Sequence, residues 1–313
     1  MSQIPRRNAI EVDIAVCTYR RTELDRTLRS LAVLDVPADT KIRIIVADND
    51  VSPSAGARVE AIRSAVPFDI TYVHCPSSNI SIARNACLDH ATGDFLAFID
   101  DDETASSGWL VALLSTAEAT GADAVLGPAR ATYLDTAPAW MKRGDFHSTL
   151  PVWVRGKIDT GYTCNVLLRR RATSLTNARF NLALGRTGGE DTEFFTHMTR
   201  SGGAIAFAPG AWVDDPVPAN RASLSWLAKR RFRFGQTHGR LLQENSRGAG
   251  LTRKLAVAGA KAVYCFAAAV VSSFLPIPRY RYALRGIMHA GVVSGLLGVR
   301  EIEQYGTLES TSR

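Results

Sequence analysis

The sequence predicts an α/β domain built on a doubly wound, mostly parallel sheet with helices on both faces, followed by a basic helical extension. Short apolar runs alternate with segments of helical spacing through the first half of the chain, the pattern of strand-helix-strand units. One run, FLAFI at 95–99, is continuously apolar, as a parallel strand covered on both faces must be, and it breaks into Asp100, Asp101 and Asp102 where the strand should end. From Arg221 to Arg313 there are fifteen Lys and Arg against four Glu, roughly +11, so the total of +7 leaves about −4 for the first 220 residues.

In order, Val12 to Cys17 is the first predicted strand and runs into the loop TYRR. Leu24, Leu28, Leu31 and Leu34 recur at three- and four-residue spacing, a helix with Thr22 as its expected N-cap and Pro37 as its stop. Lys41 to Ala47 is a second strand ending at Asp48, Asn49 and Asp50, Ala57 to Ala65 a helix, and Ile70 to His74 a third strand. Ser81 to Ala91 reads as a helix closed by Gly93, leading straight into the aspartate strand. Trp109 to Ala119 is a further helix and Ala124 to Gly127 a strand. Residues 128–157 are loop-rich and read as a variable, substrate-facing region; Thr163 to Leu168 is again strand-like. In GGEDTEFF, Gly188 and Gly189 punctuate a loop, Glu190 and Asp191 open a helix, and Phe194, Phe195 and Met198 mark its buried face.

Several classes fall away. No GxGxxG follows the first strand and no GxxxxGK[ST] occurs, which removes the main support for dinucleotide and P-loop sites. Five scattered cysteines without CxxC spacing argue against a disulfide framework or a zinc site, and a reduced, cytoplasmic setting is expected. The N-terminal residues contain no apolar core with a small-residue cleavage site, so no secretory signal is expected. The six histidines show no metal-ligand spacing.

The acidic triplet belongs at the carboxyl end of a central strand, the edge where open α/β sheets bind ligands. Three such anions repel one another, and a divalent cation bridging to phosphate oxygens offsets that repulsion; the other reading is a solvated acidic turn. Glu190 and Asp191 are either ordinary acidic residues of a first helical turn or a functional pair.

Taken in order, VCTYRR, VADND, ARNACLDHATGDFLAFIDDDE and GGEDTEFF carry a resemblance. Over roughly the first 235 positions the chain resembles the family 2 glycosyltransferases, inverting enzymes of the GT-A fold, and among them the bacterial exopolysaccharide glucosyltransferases of succinoglycan type. The resemblance implies a nucleotide pocket lined by Thr18, Tyr19 and Arg21, with Asp48 accepting from a uracil base and Arg84 approaching the diphosphate. It also implies a Mg²⁺ or Mn²⁺ held at Asp102 with Asp100, while Asp100 and Asp101 serve the ribose and the metal's surroundings. Asp191 is implied as the general base and Glu190 as the residue that positions the acceptor. Asn165 is either a sugar contact or a group that satisfies buried backbone. Many relatives place a metal-ligand histidine after the last core strand; here stand Asp214 and Asp215, and an aspartate is a hard ligand that can substitute.

The implied activity moves a hexose, glucose from UDP-glucose, to a lipid-linked or oligosaccharide acceptor with inversion. Alternatives are a sugar-nucleotide pyrophosphorylase, although TYRR has no glycine, a haloacid-dehalogenase-type phosphatase, and a non-catalytic sugar-nucleotide or polysaccharide-binding module. Two domains are expected, residues 1–220 catalytic and 221–313 a basic, apolar, membrane-associated extension. In the latter, the arginines of SWLAKRRFRFGQ suit phosphate, and no nucleic-acid reading motif accompanies them. Leu255 to Leu275 is long enough to span a bilayer but is interrupted by Lys261, and PIPRYRYALR suits an anionic interface. One or two helices lying on or embedded in the cytoplasmic face of the inner membrane are expected, with a true span or ordinary buried helices as the alternatives.

Overall fold

A computed structural model describes residues 9–244 and 248–299. The first eight residues, within which no secretory signal is expected, and residues 300–313 of the basic extension lie outside the described residues. In chain order the elements are β1 (Ile10–Thr18), α1 (Leu24–Leu31), β2 (Thr40–Asp48), α2 (Gly56–Ile62), β3 (Asp69–His74), α3 (Ile80–His90), β4 (Phe95–Asp100), β5 (Thr104–Ala105), α4 (Trp109–Thr120), β6 (Ala124–Leu126) and β7 (Ala129–Tyr133). There follow α5 (Ala139–Gly144), β8 (Trp153–Val154), β9 (Lys157–Ile158), β10 (Asn165–Arg169), α6 (Glu190–Arg200), β11 (Ile205–Phe207), β12 (Val213–Val217), α7 (Leu224–Glu244), α8 (Ala249–Val271) and α9 (Pro276–Leu296). The chain divides into two compact units: one runs through Arg130 and resumes at Thr149–Asp215, the other comprises Ala131–Ser148 and the chain from Pro216.

The first unit is a seven-stranded sheet in the order β11-β6-β10-β4-β1-β2-β3. All pairings are parallel except those of β10 with β4 and β6. Side chains alternate across the pleat, so β4 sends Phe95, Ala97 and Ile99 into one core with α1, α2 and α4, and Leu96 and Phe98 into another with α3 and α6. The same alternation continues to Asp100, which therefore emerges on the α3 and α6 side.

Local details differ from the sequence expectation. Helix α1 begins at Leu24 with Glu23 in the cap position, and the Thr22 hydroxyl donates to the Glu23 carboxylate instead of capping. Helix α3 is capped by Asn79, whose side chain accepts from Ser81 N–H, and it ends at His90 with Ala91 already extended, so Gly93 does not close it. The predicted 57–65 helix is α2 plus a tight 3₁₀ turn at Arg63–Ala65. Residues 128–157 include β7, α5 and the β8–β9 hairpin, and Ala131–Ser148 belongs to the second unit.

The second unit packs α5, α7 and α9 around Met141, Phe146, Leu227 and Leu284, and α8 joins α7 and α9 at a smaller core of Ala258, Val292 and Leu296. Helices α7 and α9 meet through reciprocal GxxxG pairs, Gly235 with Gly239 and Gly291 with Gly295. A Cβ at Gly235 would lie 2.0 Å from the Met288 carbonyl oxygen, and one at Gly291 would lie 2.0 Å from that of Phe232. Only residues without a side chain let two backbones approach so closely. Across the seam the Gln236 amide donates to the Ser294 hydroxyl at 3.1 Å.

Candidate active site

The chain lays β1, β2 and β3 outward in one direction, then returns through α3 to place β4 on the other side of β1. The β1/β4 boundary is thus a topological switch point, and diverging connections leave a crevice at the strand ends there. Cys17 pairs with Asp100 and Thr18 with Asp48, which sets the predicted loops side by side.

Helix α1 shapes the acidic loop. Thr27 is buried on its otherwise leucine-lined face, with its hydroxyl 2.9 Å from the Asp101 carbonyl oxygen and 2.7 Å from that of Glu103. Arg26 donates to the Asp102 carbonyl at 2.9 Å. Neither residue figures among the sequence candidates, yet a lone threonine on a buried leucine stripe is a legible signal of a polar duty.

The loop carries more buried acid than nearby cations neutralise. Burial pushes Asp100 up to about 7, against the pull of Arg84 and reinforced by Asp102, Asp215 and Asp191. Burial and then Asp102 lift Asp101 to about 8 while Arg21 opposes. Glu103, 2% exposed, is held well above the usual carboxylate range by burial and by Asp100, Asp215 and Asp102, although the Asp100 N–H donates to it at 3.2 Å. Arg21 faces both neighbouring carboxylates, at 3.8 Å from Asp101 and 3.4 Å from Asp102.

A hard divalent cation fits this donor chemistry, since it would relieve the mutual repulsion of Asp100, Asp102 and Asp215. The spacing is less complete: among the described residues no group of three or more acidic, histidine or cysteine side chains stands at ligand distance. Asp214 pairs with Thr104 across β12 and β5, which brings the Asp215 position beside the acidic loop.

Opposite, α6 begins at Glu190 after Gly189 in the left-handed conformation. Glu190 is buried and forms an ion pair with the equally buried Arg84 of α3. Burial would lower Arg84, but Glu190, Asp191 and Asp100 outweigh it and hold the guanidinium firmly charged. Asp191 is half-buried, and its Oδ1 accepts from its neighbour Thr192 N–H at 2.6 Å.

Two expected ligand contacts have other partners here. Asp48 is fully buried and accepts from Asp50 N–H (3.1 Å), Ala55 N–H (2.8 Å) and the Tyr72 hydroxyl (2.7 Å), so it shapes the β2–α2 connection and offers no exposed acceptor to a base. Arg84 is committed to Glu190 rather than open to a diphosphate. Asn165 takes the structural one of its two readings: it accepts from Trp109 Nε1 at 2.8 Å and donates to the Pro128 and Ala211 carbonyls at 3.1 and 2.7 Å. Nearby, Arg20, Arg21, Thr22, Ser54, Ala55 and Arg58 line a small pocket of about 190 Å³.

Comparison with solved structures gives the fold. The mannosyltransferase PcManGT from Pyrobaculum calidifontis, solved with GDP-Man and Mn²⁺, has a TM-score of 0.63 at 17% identity over 92% of this chain and 88% of that one. Residues 1–349 of S. aureus TarS have a TM-score of 0.52 at 16% identity over 95% of this chain and 98% of that one. Of the longer TarS chain this protein spans 55%. At these identities the likeness establishes the architecture alone, and that architecture is the GT-A-like fold of nucleotide-sugar glycosyltransferases. Residues 13–175 match the family description "Glycosyl transferase family 2". The succinoglycan biosynthesis protein ExoM of Rhizobium meliloti (strain 1021) is 64% identical over 303 residues, covering 97% of this chain and 98% of that protein. The chain belongs to glycosyltransferase family 2, which sets aside the pyrophosphorylase and phosphatase alternatives.

Proposed function

We propose that this glycosyltransferase transfers a hexose, glucose from UDP-glucose, with inversion to a lipid-linked or growing oligosaccharide. It works at the cytoplasmic face of the inner membrane, in the synthesis of a succinoglycan-type exopolysaccharide. The observation that carries the reading is the buried ion pair of Arg84 with Glu190, which ties the first turn of α6, and with it Asp191, to α3 on the side of the sheet toward which Asp100 points. One site thus holds a group for the nucleophile and groups for the leaving diphosphate. The 64% identity to a succinoglycan biosynthesis protein supports the polymer class.

In this mechanism Asp191 takes the proton of the acceptor hydroxyl as that oxygen attacks the anomeric carbon, and the bond to the diphosphate breaks on the opposite face. Arg84 fixes Glu190, and with it the first turn of α6 that presents Asp191. Thr18, Tyr19 and Arg21 border the nucleotide, with Asp48 behind them holding the loop. Asp102, with Asp100 and with Asp101 alongside, would hold a Mg²⁺ or Mn²⁺, which supplies electrostatic stabilisation of the departing UDP. Arg21, which faces Asp101 and Asp102, would meet the phosphates at the same loop.

Asp191→Asn should retain UDP-sugar and metal binding while transfer falls by about 10²–10⁴-fold. Normal transfer by that variant would remove Asp191 as the base. Absence of both transfer and donor hydrolysis in the wild type, across UDP-sugars with metal, would favour the binding-module alternative.

A further inference from the structure

Helix α8 is patterned inside out. It buries Ala258, Ala262, Cys265 and Ala269, all small, and exposes Val257 (47%), Val263 (70%), Tyr264 (66%), Val270 (74%) and Val271 (82%), continuing to Phe274 (93%) just beyond its end. At 100° per residue the buried set lies on one side and the exposed set diametrically opposite. A helix folding in water does the reverse, because burying bulk is what stabilises it. From Ala256 to Phe274 the outer row contains no charged residue, and Lys261 stands at its border. Part of the α7–α9 packing is of the same kind, with reciprocal GxxxG pairs and an amide-to-hydroxyl hydrogen bond beside the apolar cluster of Leu227 and Leu284.

Charge selects the surface. Between Asn245 and Arg300 there is no Asp or Glu, while Arg253, Lys254, Lys261, Arg279, Arg281 and Arg285 all fall there. It also selects the orientation. The outer row of α8 is about 27 Å long, nearly a hydrocarbon thickness, but α9 follows the turn at once with Arg279, Arg281 and Arg285 in its first turns. Were α8 to cross the bilayer, those arginines would be carried back into hydrocarbon; with α8 lying in plane, they sit at headgroup depth.

We propose that the outer face of α8, from Val257 to Phe274, is embedded lengthwise in one leaflet of a bilayer containing anionic phospholipid. The basic start of α9 lies at the phosphates. This deepens the membrane-surface part of the function proposed above and rests on that part alone, not on the transfer chemistry.

The test is sedimentation of the full chain with phosphatidylglycerol-containing vesicles and with pure phosphatidylcholine vesicles. Wild type should partition into the former at least tenfold more strongly. A triple Val263→Glu, Val270→Glu, Phe274→Glu variant should lose at least tenfold of that binding while keeping its circular dichroism spectrum and donor hydrolysis. Arg279→Gln, Arg281→Gln and Arg285→Gln together should abolish the lipid-charge preference. Tryptophans placed singly at Val257 and Val270 should be quenched by brominated lipids at equal depth. Unequal depths would overturn the in-plane arrangement. Undiminished binding by the glutamate variant, or a wild-type dimer in buffer that the glutamates dissolve, would overturn the lipid assignment. Vesicle binding without any transferase activity would leave this inference standing and remove the functional one.

Discussion

Helix α1 turns Leu24, Leu28 and Leu31 fully inward, whereas α8 turns alanines inward and leaves valines, Tyr264 and the nearby Phe274 outside. The first unit spends its bulk on two cores flanking a sheet, and that rigidity lets its strand ends hold Asp100, Asp101 and Glu103 close together against their repulsion. The second unit adds backbone approach at glycines to a core of Met141, Phe146, Leu227 and Leu284, and only its helix α8 keeps large side chains outside. Truncating a large side chain should therefore cost stability on α1 and almost none on the outer face of α8.

The largest effect is expected in the first unit. Leu28→Ala should lower the unfolding free energy by about 2–5 kcal/mol in chemical denaturation, since Leu28 is wholly buried against the sheet. A cost under 1 kcal/mol would mean that this core is looser than its packing indicates. In the second unit the comparable sensitivity lies at the glycines. Gly291→Ala should cost about 1–3 kcal/mol by overpacking, read as faster amide hydrogen exchange along α7 and α9, and unchanged exchange would deny the close seam.

Acid should also reach the second unit, through His147. Its Nε2–H donates to the Arg221 carbonyl at 3.0 Å, and Nδ1 lies 3.0 Å from the Tyr133 hydroxyl, contacts that a neutral ring satisfies by accepting at Nδ1. Burial lowers its pKa to about 4, with Arg230, Arg231 and Arg221 adding to the effect while the hydrogen bond to Arg221 opposes it. Because the folded pKa is depressed, stability is full above the unfolded value near 6.5 and declines as pH falls toward 4, by at most on the order of 3 kcal/mol. A proton NMR titration of the ring with a midpoint near 6.5 would refute this. The smallest effect belongs to the outer face of α8. Val270→Ala should change stability in buffer by less than about 0.5 kcal/mol, and a loss comparable to that of Leu28→Ala would show that α8 is covered in solution.

Legibility followed the same division. In the first unit six of the seven strands of the main sheet and most helices are legible in periodicity, because a sheet covered on both faces demands apolar runs and its helices demand a leucine stripe; β11 and the short strands β5, β8, β9 and β12 carry too few residues to show a period. Thr22 and Gly93 were misread as helix signals because capping and closure depend on the path of the chain around them, which composition does not state. At the site, the acidic triplet and the Glu190–Asp191 pair stood out as residues, but their partners did not. That Arg84 is bound to Glu190, that Asp48 is enclosed by three donors, and that Thr27 holds the Asp101–Glu103 loop all depend on contacts between segments distant in sequence.

The sequence by itself determined the alternation of strands and helices, the acidic strand end, the family motifs and the basic, acid-free stretch from residue 245 to residue 300. Those are properties of local order, written in spacing and charge. Tertiary structure alone decided that Asp100 faces α3 and α6, that Arg84 ties Glu190 and the start of α6 to α3, and that α8 shows its large side chains to the outside. Each depends on which face of an element another segment covers, and that is settled only when the chain has closed on itself.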